Sequence, residues 1–441
     1  MYGLVDTLAT TDALAAIFSD RSLLQAMIDF EVTLAAVQAE QGLIPQRAAT
    51  AIRAAAVVDG FDPVAIGREA RRSATLSIPF VNALTARVRA SDAESAGFVH
   101  WGTTSQDLAD TTLVLLLARS LAVIAVDHDR LDEMLRALSD RHARTVMLGR
   151  TLLQPAPPIT FGLKVAGWQA ALCRGWARVR ARHEAALVLQ FGGAAGTLAA
   201  LGERGASVAA ALASRLGLRD SGAPWHVHRD RLAAFVAAAG IYTAAIGKMA
   251  RDVALLMQDE VGEVAERGGG SSSMPHKRNP AGCASALAAA NRMPGLVATF
   301  LTAMIQEHER AVGGWHAEWP TVAGVIQTTG AGAAAMADVI EGLEVFPDRM
   351  RANIEKTKGV IFAERVVALV APSAGKEAAQ AIVAAALERC RTSNDTFREA
   401  LAQQPDIGRW LTAEQLRSID SPEAYLGSAE VFRVKLLSSE L

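Results

Sequence analysis

The sequence predicts an all-α protein built around several long helices, and three observations carry that prediction. Of its 441 residues, 51% are hydrophobic but only 5% aromatic, and alanine is abundant. That balance suits packed helices better than strands, which favour β-branched and aromatic side chains. Residues 107–145 contain no proline or glycine, so one long helix, straight or kinked, is the economical reading. Residues 230–263 predict a second long helix, whose central stretch LAAFVAAAGIYTAAIG (232–247) carries no charge. A helix with no polar face must be buried on every side. This points to a helix bundle, with helices donated by neighbouring subunits favoured over the core of a monomer.

The other elements follow in order. SLLQAMIDFEVTLAAVQAEQG (22–42) sets Leu23, Met27, Phe30, Leu34 and Val37 at three- and four-residue steps, and Gly42 is a stop signal. Shorter helices continue to about residue 100, divided by the Asp-Gly and Asp-Pro punctuation of 59–63. After the long helix from Ser105, LLQPAPP (152–158) must interrupt helical structure, because proline lacks the amide donor and clashes with the preceding turn. Beyond Phe346-Pro347-Asp348 the helices shorten again, with a further boundary near Pro372-Ser373.

Several function classes recede. A net charge of −2 gives no global basic field for nucleic acid or acidic membrane, and the basic run 178–184 reads as a solvated helix face. Three cysteines, Cys173, Cys283 and Cys390, lie far apart, which fits a reduced intracellular protein rather than a disulfide scaffold. The N-terminal segment has no basic stretch ahead of an apolar one, and the candidate spans at 232–247 and 319–337 are too short or too polar. No membrane, no nucleic acid and a cytoplasmic location are therefore expected. No HExxH is present, and His226, His228, His308 and His316 do not read as metal ligands.

The densest chemistry lies in GGGSSSMPHKRNP (268–280). A phosphate loop needs Gly-Lys-Ser/Thr, but His276 precedes Lys277 and Arg278 follows it. A hydrolase elbow GxSxG is also absent, and a plain flexible linker would not end in MPHKRNP. Asn279 is a candidate cap, and Pro280 a first-turn residue, of the helix that follows. The loop end then meets a helix N-terminus beside Lys277, an anion site made of dipole, amides and ammonium. The glycines allow the serines to close over the anion as a lid. A serine held there has a lowered pKa and can exchange a proton with carbon.

This stretch resembles the signature loop of the fumarase/aspartase superfamily, roughly Gly-Ser-Ser-x-Met-Pro-x-Lys-x-Asn-Pro. Gly270, Ser271, Ser272, Met274, Pro275, Lys277, Asn279 and Pro280 match it. By the resemblance, Ser271 is the catalytic serine, and Lys277 and Asn279 are substrate-anion ligands. HWGTTSQD (100–107) resembles the first substrate-binding region, which makes Thr104, Ser105 and Gln106 candidate carboxylate ligands as well as a helix cap. GRTLLQPAPP (149–158) resembles the second, with Thr151 and Gln154 touching substrate. Fumarases and adenylosuccinate lyases carry a proton-relaying histidine directly after that threonine; here the residue is Leu152. His100 reads as a substrate contact or a structural hydrogen bond, and His316 as a residue of a subunit-crossing site or as packing.

The segments 18–31, 187–202, 224–232, 306–319 and 423–432 further resemble the branch of bacterial 3-carboxy-cis,cis-muconate cycloisomerases, WHAEW (315–319) being the most discriminating. Leu152 and Pro155 depart from that branch, beside the substrate. The resemblance implies an all-α, three-domain fold (1–104, 105–345 and 346–441), a homotetramer with shared active sites, a small anionic muconate as substrate, and no metal or cofactor. The implied reaction is lactonization. The alternatives are a cycloisomerase for a sulfonated muconate, a lyase of adenylosuccinate type that releases fumarate, and a non-catalytic structural descendant.

Overall fold

The structure, a computed structural model, describes residues 3–270, 273, 274 and 276–438. Its helices run α1 Asp12–Ile17, α2 Asp20–Glu40, α3 Gln46–Ala55, α4 Pro63–Ser73, α5 Ser77–Ser91, α6 Ser105–Arg141, α7 Phe161–Ala186 and α8 Gly205–Arg215. They continue as α9 Asp230–Leu256, α10 Ala281–Ala303, α11 Gly314–Glu341, α12 Pro347–Glu355, α13 Ala363–Ala374, α14 Lys376–Thr392, α15 Phe397–Ala402, α16 Ala413–Ser418 and α17 Ala429–Ser438. Two small antiparallel pairs interrupt them, β1 Val146–Thr151 with β2 Gln154–Thr160, and β3 Val264–Ala265 with β4 Glu344–Val345. The fold is all-α, as the composition predicts.

Local chemistry sets the boundaries. Ser19 caps α2 by accepting from the Ser22 amide, and Asp62 caps α4, whose first turn holds Pro63. Thr396 with Glu399, and Thr412 with Gln415, form reciprocal capping boxes at α15 and α16. The stop read at Gly42 is real, with φ +67° just beyond α2. The proline-rich break is a β-hairpin rather than a loop. Prolines are tolerated in β2 because a two-stranded hairpin has open edges that need no further ladder bonds.

The chain divides into two compact units, and all five division points fall inside long helices. The first comprises Met1–Asp129, Arg174–Lys248 and Ala284–Met336. One of its cores gathers Phe30 and Leu34 of α2, Ile52 of α3, Phe80 and Leu84 of α5 and Leu212 of α8. Burial of each such side chain contributes on the order of 1.5–3 kcal/mol. The long helices pack closely through small residues. A Cβ on Gly175 of α7 would stand 3.2 Å from Tyr242 of α9, and one on Gly247 of α9 only 2.4 Å from Ala290 of α10. Tyr242 is fully buried, with its ring against Trp176 and His128.

The second unit comprises Arg130–Cys173, Met249–Cys283 and Ala337–Leu441. Its main core joins Val366 and Val370 of α13, Val383 of α14 and Phe397 and Leu401 of α15. Val146 and Leu148 of β1 pack with Ile354 of α12, Ile361 and Phe362. Helices α6 and α9 are long and apolar enough to cross a membrane, but 61% of the most apolar window of each is buried in the molecule. They are core helices.

Candidate active site

In the first unit, the segment that resembles the first substrate-binding region forms the entry to α6. Asp107, three residues after the cap position, folds its carboxylate back over the helix start. It accepts from the Thr104 amide and the Thr103 hydroxyl, each at 3.1 Å. It also accepts from the Gly192 and Gly193 amides at 2.9 and 2.8 Å and pairs with His226 Nε2 at 2.7 Å. Thr104 and Ser105 are half-buried, and their hydroxyls have no hydrogen-bond partner among the described residues. Gln106 differs. It is fully buried, and its amide nitrogen donates to the His226 carbonyl at 2.8 Å and to Asp110 at 3.2 Å, while its oxygen accepts from Arg310 at 3.2 Å.

One turn along α6 lies a charge cluster with no solvent access. The Arg229 guanidinium pairs with Asp110 through both terminal nitrogens, at 2.7 and 2.9 Å. It reaches Glu318 of α11 through Nε at 2.8 Å and Nη2 at 2.5 Å. The face of Trp225 lies 4.5 Å away. Two carboxylates share one cation, so an excess negative charge is buried here. Burial pushes Glu318 up to about 7, against the pull of Arg229 and with the repulsion of Asp110. Gln306 donates to Glu318 at 2.8 Å, and Arg310 donates to the carbonyls of Gly193 and Ala194. The cluster therefore ties the start of α6, the 224–229 segment and the start of α11 into one rigid support.

His100 stands at the head of this junction with φ +60°, a left-handed conformation that non-glycine residues adopt only when the surroundings hold them. Its Nδ1 lies 2.5 Å from a carboxylate oxygen of Glu31, a buried residue of α2. Burial opposes the charge on the ring, but the Glu31 carboxylate, with Asp107 behind it, outweighs burial and raises the imidazole above its ordinary range. His316, in the first turn of α11, has a buried Nδ1 with no partner among the described residues, and burial lowers its pKa. The indole nitrogens of Trp315 and Trp319 are also buried and unpartnered there.

In the second unit, Thr151 and Gln154 face each other across the tip of the β1–β2 hairpin. The two turn residues, Leu152 and Leu153, have φ +49° and +67°. Positive φ at both central positions is the turn that matches strand twist, and it ordinarily selects Asn-Gly. Here two leucines occupy it while 96% and 73% exposed. A strained, solvent-facing apolar tip is a functional signal. Behind the tip, Arg150 forms a two-pronged pair with the fully buried Glu263, at 3.0 and 2.7 Å, and Asn353 donates to the same carboxylate. Beside the hairpin, Arg150, Gln154, Pro155, Asn353 and Lys356 line a cavity of about 540 Å³.

The signature loop leaves β3 and returns to α10. Gly270 bridges to Arg278, and the Asn279 amide donates to the Gly269 carbonyl at 2.7 Å. Gly269 has φ +67°, and a Cβ there would come 2.0 Å from the Asn279 carbonyl, so only glycine closes this neck. Lys277 is exposed, and its amide donates to the Met274 carbonyl at 3.0 Å. One expectation is corrected. The Gly282 and Cys283 amides at the start of α10 donate to the buried Glu266 carboxylate, each at 3.0 Å. The protein's own carboxylate takes these helix amides, and the loop's exposed cations are Lys277 and Arg278, the latter paired with Glu344. Ser271 lies outside the described residues.

The structure thus brings His100, Thr104, Ser105 and Gln106 together at one helix entry and pairs Thr151 with Gln154 at one hairpin tip. No hydrogen bond joins that tip pair to Lys277 or Asn279 among the described residues. No group of three or more His, Cys, Asp or Glu side chains that could hold a metal ion occurs there either. Sequence reasoning missed Asp107, Asp110, Arg229, Glu318 and Glu31. Arg229 and Glu318 do sit in the discriminating segments 224–232 and 306–319. Their pairing, 89 residues apart in sequence, carries no local signal.

Comparison with known proteins gives the family. A family described as "Lyase" matches residues 7–295, and one described as "Adenylosuccinate lyase C-terminus" matches 359–434. A protein of Bradyrhizobium diazoefficiens named 3-carboxy-cis,cis-muconate cycloisomerase is 43% identical over 440 residues, 99% of this chain and 98% of that protein. One of the same name from Pseudomonas aeruginosa is 44% identical, over 96% of this chain and 93% of its own. The crystal structure of the 3-carboxy-cis,cis-muconate lactonizing enzyme from Pseudomonas putida superposes with a TM-score of 0.92, at 40% identity, covering 99% of this chain and 98% of the other. With a family match over more than half its length, near-complete relatives above 40% identity and a shared all-α fold, the chain is a member of the fumarase/aspartase superfamily of lyases, in the branch of the 3-carboxy-cis,cis-muconate cycloisomerases.

Proposed function

We propose that the protein converts 3-carboxy-cis,cis-muconate to a carboxymuconolactone by intramolecular addition, as a step of aromatic breakdown and without a metal or cofactor. The observation that carries the reading is the near-full-length identity to proteins of that name. One substrate carboxylate adds to an alkene carbon and forms the lactone C–O bond. The π electrons move onto the neighbouring carbon, conjugated with a second carboxylate, and a proton from Ser271 completes the product. The nucleophile is tethered, so proximity does much of the work and nothing leaves the substrate. That chemistry is compatible with Leu152 in place of a proton-relaying histidine.

In this reading Lys277 and Asn279 stabilise the dianionic intermediate. Thr104, Ser105, Thr151, Gln154, His100 and His316 hold the substrate carboxylates. The free hydroxyls of Thr104 and Ser105 support their part. Gln106 joins them if it exchanges its bond with Arg310.

The protein acts as a soluble cytoplasmic homotetramer with three domains per chain and sites assembled from several subunits. A stripe on α9 supports the association. Ala234, Ala237, Ile241 and Ala244 follow each other at three- and four-residue steps and are left half-buried or exposed in the single chain, Ile241 at 54%. The test is a substrate panel of 3-carboxy-cis,cis-muconate, a sulfonated muconate and adenylosuccinate. Loss of diene absorbance with the carboxymuconate and no fumarate from any of the three supports the reading. Turnover of adenylosuccinate alone overturns it.

A further inference from the structure

We propose that Glu31 is a positioning residue that pins His100 through Nδ1, so that the Nε2–H of His100 is presented to a carboxylate of the substrate. The inference rests on the reading of His100 as a substrate residue and adds the group that makes it one. Glu31 is buried on α2, and the hydrogen bond it makes among the described residues goes to His100, 69 residues away. A buried carboxylate is costly unless it is paired, so Glu31 and His100 hold each other in place. Nδ1 is committed to that bond, while Nε2 has no partner among the described residues and the side chain remains 16% exposed. The left-handed backbone at His100 sets where its Cβ leaves the chain, and the bond to Glu31 holds the ring.

Two carboxylates face the ring, Glu31 from α2 and Asp107 from the first turn of α6, and Asp107 is itself paired with His226. No cation among the described residues hydrogen-bonds to it. Glu31 and Asp107 together hold the imidazole above its ordinary range against burial, and a protonated ring makes Nε2 a charged donor suited to a tricarboxylate. Without Glu31, only Asp107 opposes burial, and the ring gives up its proton at a lower pH.

The experiment uses the full-length protein with Glu31→Gln, His100→Gln, the double variant, and Glu31→Asp, which keeps the charge. KM and kcat for 3-carboxy-cis,cis-muconate are measured from pH 5.5 to 8.5, alongside calorimetric binding of tricarballylate, a non-reacting tricarboxylate. Glu31→Gln is expected to raise KM at least tenfold at pH 8, with kcat within threefold, and to approach the parent within threefold near pH 6. His100→Gln shows the high KM at every pH, the double variant is no worse than His100→Gln, and Glu31→Asp keeps the parental profile. A pH-independent loss in Glu31→Gln, or losses that add in the double variant, overturns the inference. Should Glu31→Gln fail to fold, His100→Gln decides: a parental pH dependence of KM in that variant is the contrary result. If the parent does not turn over the muconate, the functional reading fails, and the tricarballylate titration still tests the Glu31–His100 pair by itself.

Discussion

Replacing Arg229 by methionine tests the buried charge cluster beneath the site. The guanidinium is inaccessible to solvent and pairs at once with Asp110 and Glu318. Methionine fills similar volume but leaves two carboxylates facing each other with no cation. Removing one partner of a buried pair costs on the order of 3–5 kcal/mol. The loss carries a pH signature. Glu318 already sits at about 7, above its unfolded value, so its ionisation penalises the fold. That penalty is absent below the unfolded value near 4.5, grows as pH rises towards 7, and reaches about 3 kcal/mol once the group is fully ionised. Loss of Arg229 removes the main attraction that lowers Glu318 and leaves only the Gln306 hydrogen bond, so the variant is least stable at pH 8 and recovers part of the deficit near pH 6. Urea unfolding of parent and variant at fixed protein concentration, at pH 6 and pH 8, measures both effects. A variant that unfolds within 1 kcal/mol of the parent at both values (about a fivefold change in the unfolding equilibrium) refutes the account of the cluster.

Three further outcomes are expected, the first from the proposed chemistry and the other two from the geometry. Ser271→Ala lowers turnover at least a hundredfold while tricarballylate still binds; near-native turnover removes Ser271 as the proton carrier. Gly269→Ala forces a Cβ against the Asn279 carbonyl and opens the neck of the signature loop, so activity falls sharply while the thermal midpoint moves little; an active variant shows that the neck is not needed. Leu153→Gly relieves a left-handed leucine and stabilises the hairpin by about 1 kcal/mol, read as a higher midpoint, and an accompanying rise in KM marks the tip as a substrate contact; an unchanged midpoint shows that the turn stores no strain.

The helices were legible because their signals are local. The proline-free run from Asp107, the apolar 232–247 stretch and the stop at Gly42 each depend on neighbours within a turn or two. The hairpin was not, because LLQPAPP announces only that helix must stop; the opposing strand VMLGRT has to be known before a pairing appears. Within the site, the loop and helix-entry residues could be named from motif positions. The supports could not. Glu31 with His100, Arg229 with Glu318 and Arg150 with Glu263 each join residues 69 or more positions apart, and only folding brings their charges together. The Glu266 carboxylate at the start of α10 was hidden for a related reason. The motif supplied Asn279 and Pro280 as a cap, whereas the chain uses an acidic residue ahead of the glycines.

The central claim is that a single proton reaches carbon as a ring closes and that nothing is released. Incubating the purified protein with 3-carboxy-cis,cis-muconate in deuterated water and reading the product by NMR tests it most directly. The account predicts a carboxymuconolactone carrying one deuterium on the carbon next to the newly bonded one. A product mixture containing fumarate, or a lactone with no deuterium at that carbon, contradicts it.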